Sequence, residues 1–288
     1  MSNVYQIITD KVIRMIQEGT APWRKPWGLP PGTFPISLTT SKPYTGINVM
    51  LLGLSGYDDP RWTTYHQAKE LGGQVRKGEK SSLVVFWKLQ EKEDPEDAER
   101  TRRIPILRYY NVFNVQQVDG LRIPPIARPE QRFTPVEEAE TIIQNMPSPP
   151  NIVHGGGRAF YQPAADAVSL PPKEAFQDPH EYYSTAFHEL GHSTGHPKRL
   201  DRSTYHEAAP FGSESYSREE LVAEFTRCYL CHLSGIQNTQ ENSAAYLRSW
   251  ASKLQENDRW LVITAAQAQK AASYILGQTP APEVEDDN

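Results

Sequence analysis

One short pattern constrains this chain more than any other: His188-Glu189-Leu190-Gly191-His192, an H-E-x-x-H sequence. Residues four apart lie on one face of a helix, so His188 and His192 can present two imidazoles to one ion. Glu189 lies next to the first imidazole and can reach a water on that ion. Two histidines, a third ligand from elsewhere and a carboxylate base are the parts of a zinc hydrolase site. The alternative is a helix with two surface histidines.

The residues around the pattern favour a packed helix. Asp178 is a suitable N-cap and Pro179 suits the first helical turn. Ala186, Phe187 and Leu190 give the helix an apolar side. We therefore expect the two histidines to lie on a helix that is fixed against a core.

A third ligand must come from farther along the chain. A metzincin spacing would require a histidine where Lys198 stands, so that class of site is excluded. Residues 217–233 predict a second helix with two acidic residues four apart on one face. The candidates are His196, Asp201, His206, Glu220 and Glu224.

We predict Glu220 as the third ligand, with Glu224 supporting a ligand histidine through a hydrogen bond. In the alternative, Ser217 and Glu220 form a capping box and Glu224 binds the ion; His196 is a further alternative ligand. Zinc is the predicted ion and manganese the alternative, because histidine and carboxylate ligands suit both. One residue of the segment between the helices, Tyr205, His206 or Tyr216, could donate a hydrogen bond to a developing oxyanion.

Charge and cysteine content limit the function classes. The net charge is −5, but residues 1–130 have a net charge of +4 and the remainder −9. The N-terminal half could therefore face a polyanion. The two cysteines, Cys228 and Cys231, are too few for a disulfide framework, and we interpret them as buried thiols rather than as a metal or redox pair. We expect a cytoplasmic protein with no secretory signal and no membrane partner, since no apolar run approaches a membrane span.

Aromatic and basic residues alternate in the N-terminal half, a pattern typical of surfaces on which the bases of single-stranded DNA stack. The alternative for Trp23 and Trp27 is that they fasten a proline-rich loop to the core. The predicted DNA-binding residues are Trp23, Arg24, Lys25, Trp27, Tyr44, Trp62, Arg76, Lys77, Lys80, Trp87, Tyr109 and Tyr110.

Periodicity and turn signals predict an α+β chain of two domains. Residues 1–120 form a single-stranded-DNA-binding domain, 121–133 a proline-rich linker, 134–277 the domain with the metal site, and 278–288 a disordered acidic tail. A helix, a small sheet and then an H-E-x-x-H helix is, by analogy, the layout of zincin metalloproteases. Further expectations are helices at 3–18, 62–71 and 135–146, and two strands that flank a solvated acidic loop at 91–99.

Many blocks of the chain resemble the ArdC antirestriction family, which is related in its N-terminal part to TraC-type DNA primases. The matching blocks are Trp23-Arg-Lys-Pro-Trp27, Pro43-Tyr-Thr-Gly-Ile-Asn48, Trp62-Thr-Thr-Tyr-His-Gln67, Val75-Arg-Lys-Gly-Glu-Lys80, Tyr109-Tyr-Asn-Val-Phe-Asn-Val115, residues 188–196 and residues 220–224. The resemblance implies an N-terminal single-stranded-DNA-binding domain and a C-terminal zincin-like metallopeptidase fold similar to Spartan-type proteases. It also implies protection of incoming plasmid DNA from host restriction during conjugation.

Three functions are then open. The first is a DNA-tethered metalloprotease in which Glu189 activates a water to attack a peptide carbonyl of a protein substrate. The second is a DNA-binding protector whose metal fold is a scaffold without proteolytic activity. The third is a metal-dependent nuclease. It is the weakest of the three, because two-metal phosphoryl chemistry needs a cluster of several carboxylates and the sequence shows none.

Overall fold

The computed structural model of the chain describes residues 3–24, 28–94, 97–126, 134–202, 213–236 and 244–279. Helices and strands alternate irregularly, so the chain belongs to the predicted α+β class. The helices of the described residues are α1 Val4–Gln17, α2 Ile47–Gly53, α3 Tyr65–Glu70, α4 Pro135–Gln144, α5 Pro179–Ser193, α6 Glu214–Ser234, α7 Ala244–Glu256 and α8 Trp260–Ile275. None of these helices combines the length and apolar character that crossing a membrane requires.

The strands of the described residues form three sheets. They are β1 Ile36–Ser37, β2 Arg61–Thr64, β3 Gln74–Val75, β4 Ser82–Asp94, β5 Asp97–Asn114, β6 Val118–Asp119, β7 Asn151–His154, β8 Phe160–Gln162 and β9 Ala167–Leu170. The first sheet has the order β1-β2-β5-β4, with β1 parallel to β2 and the other pairs antiparallel. The second pairs β3 with β6, and the third has the order β7-β9-β8.

Two local expectations are corrected. Trp62 and Thr63 lie in β2, and the predicted helix 62–71 begins only at Tyr65, where Thr64 is the N-cap of a capping box. The predicted loop 91–99 is corrected for residues 91–94 and 97–99, which lie in β4 and β5, while residues 95–96 lie outside the described residues.

One hydrophobic core joins the N-terminal helices to the C-terminal ones. It contains Ile8 and Val12 of α1, Met50 of α2, Phe187 of α5 and Leu261 of α8. The division at 121–133 stays a prediction, because residues 127–133 and 280–288 lie outside the described parts of the chain. The predicted helices 3–18 and 135–146 are both present, with slightly shorter bounds.

Candidate metal centre

Helix α5 presents both histidines of the H-E-x-x-H pattern. The side chain of Asp178 accepts a hydrogen bond from the backbone of His180 at 2.7 Å, and Pro179 occupies the first turn, as predicted. Phe187 and Leu190 are buried on the side of α5 that faces away from the two histidines. The helix is therefore fixed against the core, and its polar face turns toward α6.

A glycine allows α5 and α6 to approach closely. A Cβ atom at Gly191 would lie 3.1 Å from Cα of Ala223 and 3.2 Å from Cβ of Thr226 on α6. Distances that short exclude a side chain without displacement of the partner helix. The close approach brings Glu220 of α6 next to the two histidines.

Three side chains converge at this point. The Nε2 atoms of His188 and His192 are 3.1 Å apart, and Glu220 oxygens lie 3.6 Å and 3.5 Å from them. A tetrahedral ion with bonds of about 2.0–2.1 Å requires ligand atoms about 3.3 Å apart. The two imidazole nitrogens and the Glu220 carboxylate therefore suit one small cation, and these three residues are the one such group of His, Cys, Asp or Glu side chains among the described residues.

The charges of these groups depend on one another. Burial raises the pKa of Glu220, but the hydrogen bonds and charges of both histidines outweigh burial and hold that pKa well below its usual range. Burial lowers the pKa of His192, yet the hydrogen bond and charge of Glu220 raise it to about 9. Without a cation, the group therefore holds a proton that a metal ion would displace.

Helix α6 begins four residues earlier than the pattern at Ser217 predicts. Ser213 is the N-cap, and its side chain accepts a hydrogen bond from the backbone of Tyr216 at 3.3 Å. Ser217 lies inside the helix and donates to the carbonyl of Ser213. The capping alternative for Glu220 is therefore wrong, and its carboxylate turns to the histidines.

Two further groups reach the same centre. Glu189 is 8% exposed, and its charge acts on both His192 and Tyr216. Tyr216 lies in the first turn of α6 and shares a hydrogen bond with Glu220. Its pKa is raised mainly by burial and also by the charge of Glu220. The phenol therefore keeps its proton and is the donor. Of the three oxyanion candidates, Tyr205 and His206 lie outside the described residues.

Glu224 does not support a ligand histidine as predicted. Its oxygens accept hydrogen bonds from Arg227 and from the Tyr246 hydroxyl, and Arg24 lies 3.5 Å away. Nδ1 of His188 is buried with no hydrogen-bond partner among the described residues. The physical reason is that two guanidinium groups hold this carboxylate more strongly than an imidazole would.

His196 and the two cysteines are not part of the group that could hold a metal ion among the described residues, and His206 lies outside those residues. Beyond Ser193 the chain turns, and Nδ1 of His196 accepts a hydrogen bond from the backbone of Lys198 at 3.2 Å, so His196 is not an alternative ligand. Cys228 and Cys231 are free and buried, which confirms the interpretation as packing thiols.

Four of the predicted DNA-binding residues lie inside the protein. Trp23 and Trp62 are each 1% exposed, and Tyr44 is 7% exposed. The side chain of Arg24 is 11% exposed and packs over the Tyr246 ring. A buried ring offers no face to a base, and the guanidinium of Arg24 is held by Glu224 and Tyr246, so these four predictions are corrected to structural roles.

Other predicted DNA-binding residues remain accessible. Lys77 and Lys80 are exposed in the turn after β3, and Tyr109 on β5 is 48% exposed. The neighbouring Arg76 is exposed too but forms ion pairs with Glu79 and Asp119. Trp87 and Tyr110 are half-buried, and Lys25 and Trp27 lie outside the described residues. Lys88 on β4 and Arg108 on β5 are exposed as well, but neither had a distinguishing pattern in the sequence.

Comparison with known proteins identifies the family. The family model described as the N-terminal domain of anti-restriction factor ArdC matches residues 2–113, and the one described as a zincin-like metallopeptidase matches residues 137–268. The metal-free crystal structure of the antirestriction ArdC protein from plasmid R388 is 38% identical, with a TM-score of 0.74, and the match covers 95% of this chain and 97% of that one. The chain belongs to the ArdC antirestriction family.

Other ArdC relatives extend this result. The Mn(II)-bound structure of the R388 ArdC protein is 37% identical, with a TM-score of 0.75, and covers 96% of this chain and 98% of its own. An uncharacterised protein, y4eC of Sinorhizobium fredii, is 33% identical over 96% of this chain and 92% of its own length. Two Escherichia coli DNA primases named TraC are 40% identical over 94% of the chain, which spans only 27% and 20% of their lengths. A divalent metal is the cofactor to which the zincin-like fold and the manganese-bound relative both point.

Proposed function

We propose that this member of the ArdC family is a metallopeptidase that binds single-stranded DNA and protects incoming DNA from host restriction during conjugation. The observation that carries the enzymatic part is the set of two imidazole nitrogens and one carboxylate, separated by 3.1–3.6 Å, beside a buried glutamate. The cytoplasm of the recipient cell is the location that this role requires. Zinc is the proposed ion, with manganese as the alternative.

Each side chain of the centre has a distinct role. His188, His192 and Glu220 would hold the cation, which would polarise a carbonyl and acidify a water. Glu189 takes the proton of the attacking water and passes it to the departing amine. The Tyr216 hydroxyl, which has kept its proton, donates a hydrogen bond to the oxygen on which charge develops.

Peptide hydrolysis fits this centre better than phosphodiester hydrolysis. Two-metal phosphoryl chemistry needs carboxylates that bridge ions about 3.5–4 Å apart. Among the described residues the group has one carboxylate ligand, Glu220, and Glu224 is held by Arg227 and Tyr246. A protein is therefore the proposed substrate class.

The decisive experiment replaces Glu189 by Gln, which preserves volume but removes the base. Glu189→Gln should abolish cleavage of an unfolded test protein such as casein and leave metal binding and DNA binding intact. Glu181→Gln, in the first turn of the same helix, is the matched control and should cleave normally. Cleavage by Glu189→Gln at the wild-type rate would refute the mechanism, and the same pair tested for DNA protection in conjugation would show whether protection needs catalysis.

A second candidate is a protector that acts by coating DNA. The observation in its favour is that Lys77, Lys80 and Tyr109 are each exposed. Lys77→Glu/Lys80→Glu should weaken single-stranded DNA binding by the full chain and reduce the slope of log K against log salt by about one per lost phosphate contact. Lys270→Glu, an exposed change on α8, is the control. An unchanged slope in the double variant would exclude this surface.

A further inference from the structure

A turn near the N-terminus lies between two helices of the C-terminal half. Residues Pro22–Arg24 form one 3-10 turn, and its Trp23 is almost completely buried. The indole ring centroid lies 5.5 Å from the rings of both Phe225 on α6 and Trp250 on α7. The turn is therefore part of the packing between these two helices.

The same turn forms a chain of polar contacts that ends at Glu224. Nε1 of Trp23 donates to the Tyr246 hydroxyl at 2.7 Å, and that hydroxyl donates to Glu224 at 3.2 Å. The guanidinium of Arg24 stacks on the Tyr246 ring at 3.7 Å and reaches Glu224 at 3.5 Å. Arg227, one turn along α6, binds the other carboxylate oxygen.

Glu224 lies one helical turn after the proposed ligand Glu220. Residues four apart lie on one face of a helix, so the Glu224 carboxylate lies on the same face of α6 as that of Glu220, although it is not a ligand. A buried carboxylate must keep its partners, because an uncompensated buried charge is strongly destabilising. Loss of Arg24 would leave Glu224 with Arg227 and Tyr246 as partners, so the carboxylate and this turn of α6 would be held less firmly beside the centre.

We propose that Arg24 is a positioning residue of the metal centre: it holds Glu224 and thereby fixes the turn of α6 that carries Glu220. The proposal rests on the proposed metal site. The site lies within residues 137–268, which match the zincin-like family. Arg24 lies within residues 2–113, which match the ArdC N-terminal domain, so a residue of the N-terminal part would position the metal ligands. Loss of a group that orients metal ligands from outside the ligand set typically costs 10–100-fold in metal affinity.

The test measures metal affinity in the full-length protein by competition with a chromophoric chelator, with Mn(II) and Zn(II) as separate probes. Arg24→Met should weaken binding of each ion at least about tenfold. Arg24→Lys should recover part of the loss, because it keeps the charge but not the planar contact with Tyr246. Arg61→Met removes a comparably buried arginine paired with Asp59, away from the ligands, and should bind metal like the wild type.

A second variant separates this role from general stability. Tyr246→Phe keeps the ring and removes one hydroxyl that contacts Glu224, so it should fold and weaken metal binding in the same direction. Wild-type metal affinity in both Tyr246→Phe and Arg24→Met would overturn the proposal, even if the melting temperature falls. If Arg24→Met does not fold, Tyr246→Phe alone decides. Unchanged affinity in His188→Ala would instead refute the proposed metal site itself.

Discussion

Metal binding by this protein should depend steeply on pH between 7 and 9. Without a cation, Glu220 holds the pKa of His192 at about 9, and Nε2 of His192 lies 3.1 Å from Nε2 of His188. A cation needs the lone pairs of both imidazoles, so it must expel that proton. At pH 7 only about one molecule in a hundred has lost it, so the apparent affinity is about 100-fold, or about 2.7 kcal/mol, below its high-pH limit.

Isothermal titration calorimetry with Mn(II), in pairs of buffers that differ in ionisation enthalpy, measures both the affinity and the protons released. We expect about tenfold tighter binding per pH unit from pH 7 to about 9, a plateau above that, and release of about one proton per ion near pH 7.5. Below about pH 6.5 the bound proton also stabilises the metal-free fold, and this stabilisation is lost as pH rises through about 9. A constant affinity across this range, with no proton released, would refute the assignment of the proton to this group.

Three further predictions concern the scaffold around the site. Gly191→Ala should lower the free energy of unfolding by about 1–3 kcal/mol and weaken metal binding, since its Cβ would press on Ala223 of α6; urea denaturation and chelator competition measure both effects. Trp23→Phe should lower the free energy of unfolding by about 1–3 kcal/mol in the same urea assay but leave single-stranded DNA affinity unchanged, and reduced affinity in a stable variant would contradict the buried role. Burial would raise the pKa of Asp166, but its hydrogen bond to Arg199 outweighs this and lowers it to about 2. Asp166→Asn should therefore remove about 2 kcal/mol of stability at neutral pH, with the difference from wild type vanishing as pH falls from about 4 to 2 in acid-unfolding curves.

The two histidines of the site could be predicted from the sequence, because their relation depends only on their spacing along one helix. His188 and His192 lie on one helical face because four residues make slightly more than one turn. The choice between Glu220 and Glu224 could not be made in this way, since both lie on the same face of α6. It depends on where α6 begins, and the Ser213 cap competes with the equally plausible signal at Ser217.

The roles of the N-terminal aromatic residues could not be predicted for a different reason. An alternation of tryptophan and arginine has the same composition whether the rings face solvent or another helix. Trp23 and Arg24 are buried because Tyr246, Phe225 and Trp250 lie against them, and those residues are more than 200 positions away in the chain. Single-sequence periodicity carries no information about contacts at that separation.

The acidic residues of α6 also show which carboxylate is free to bind an ion. Glu219 accepts hydrogen bonds from both Nε and Nη2 of Arg202, and this pair is buried. Glu224 is bound by Arg227 on its own helix. Glu220 faces the two imidazoles of α5 rather than a guanidinium among the described residues. A carboxylate already neutralised by arginine gains little from a metal ion, whereas one paired with titratable histidines can exchange their proton for a cation. Arginines therefore hold Glu219 and Glu224 in structural ion pairs. Glu220 is the remaining carboxylate of the three and is available to the proposed metal ion.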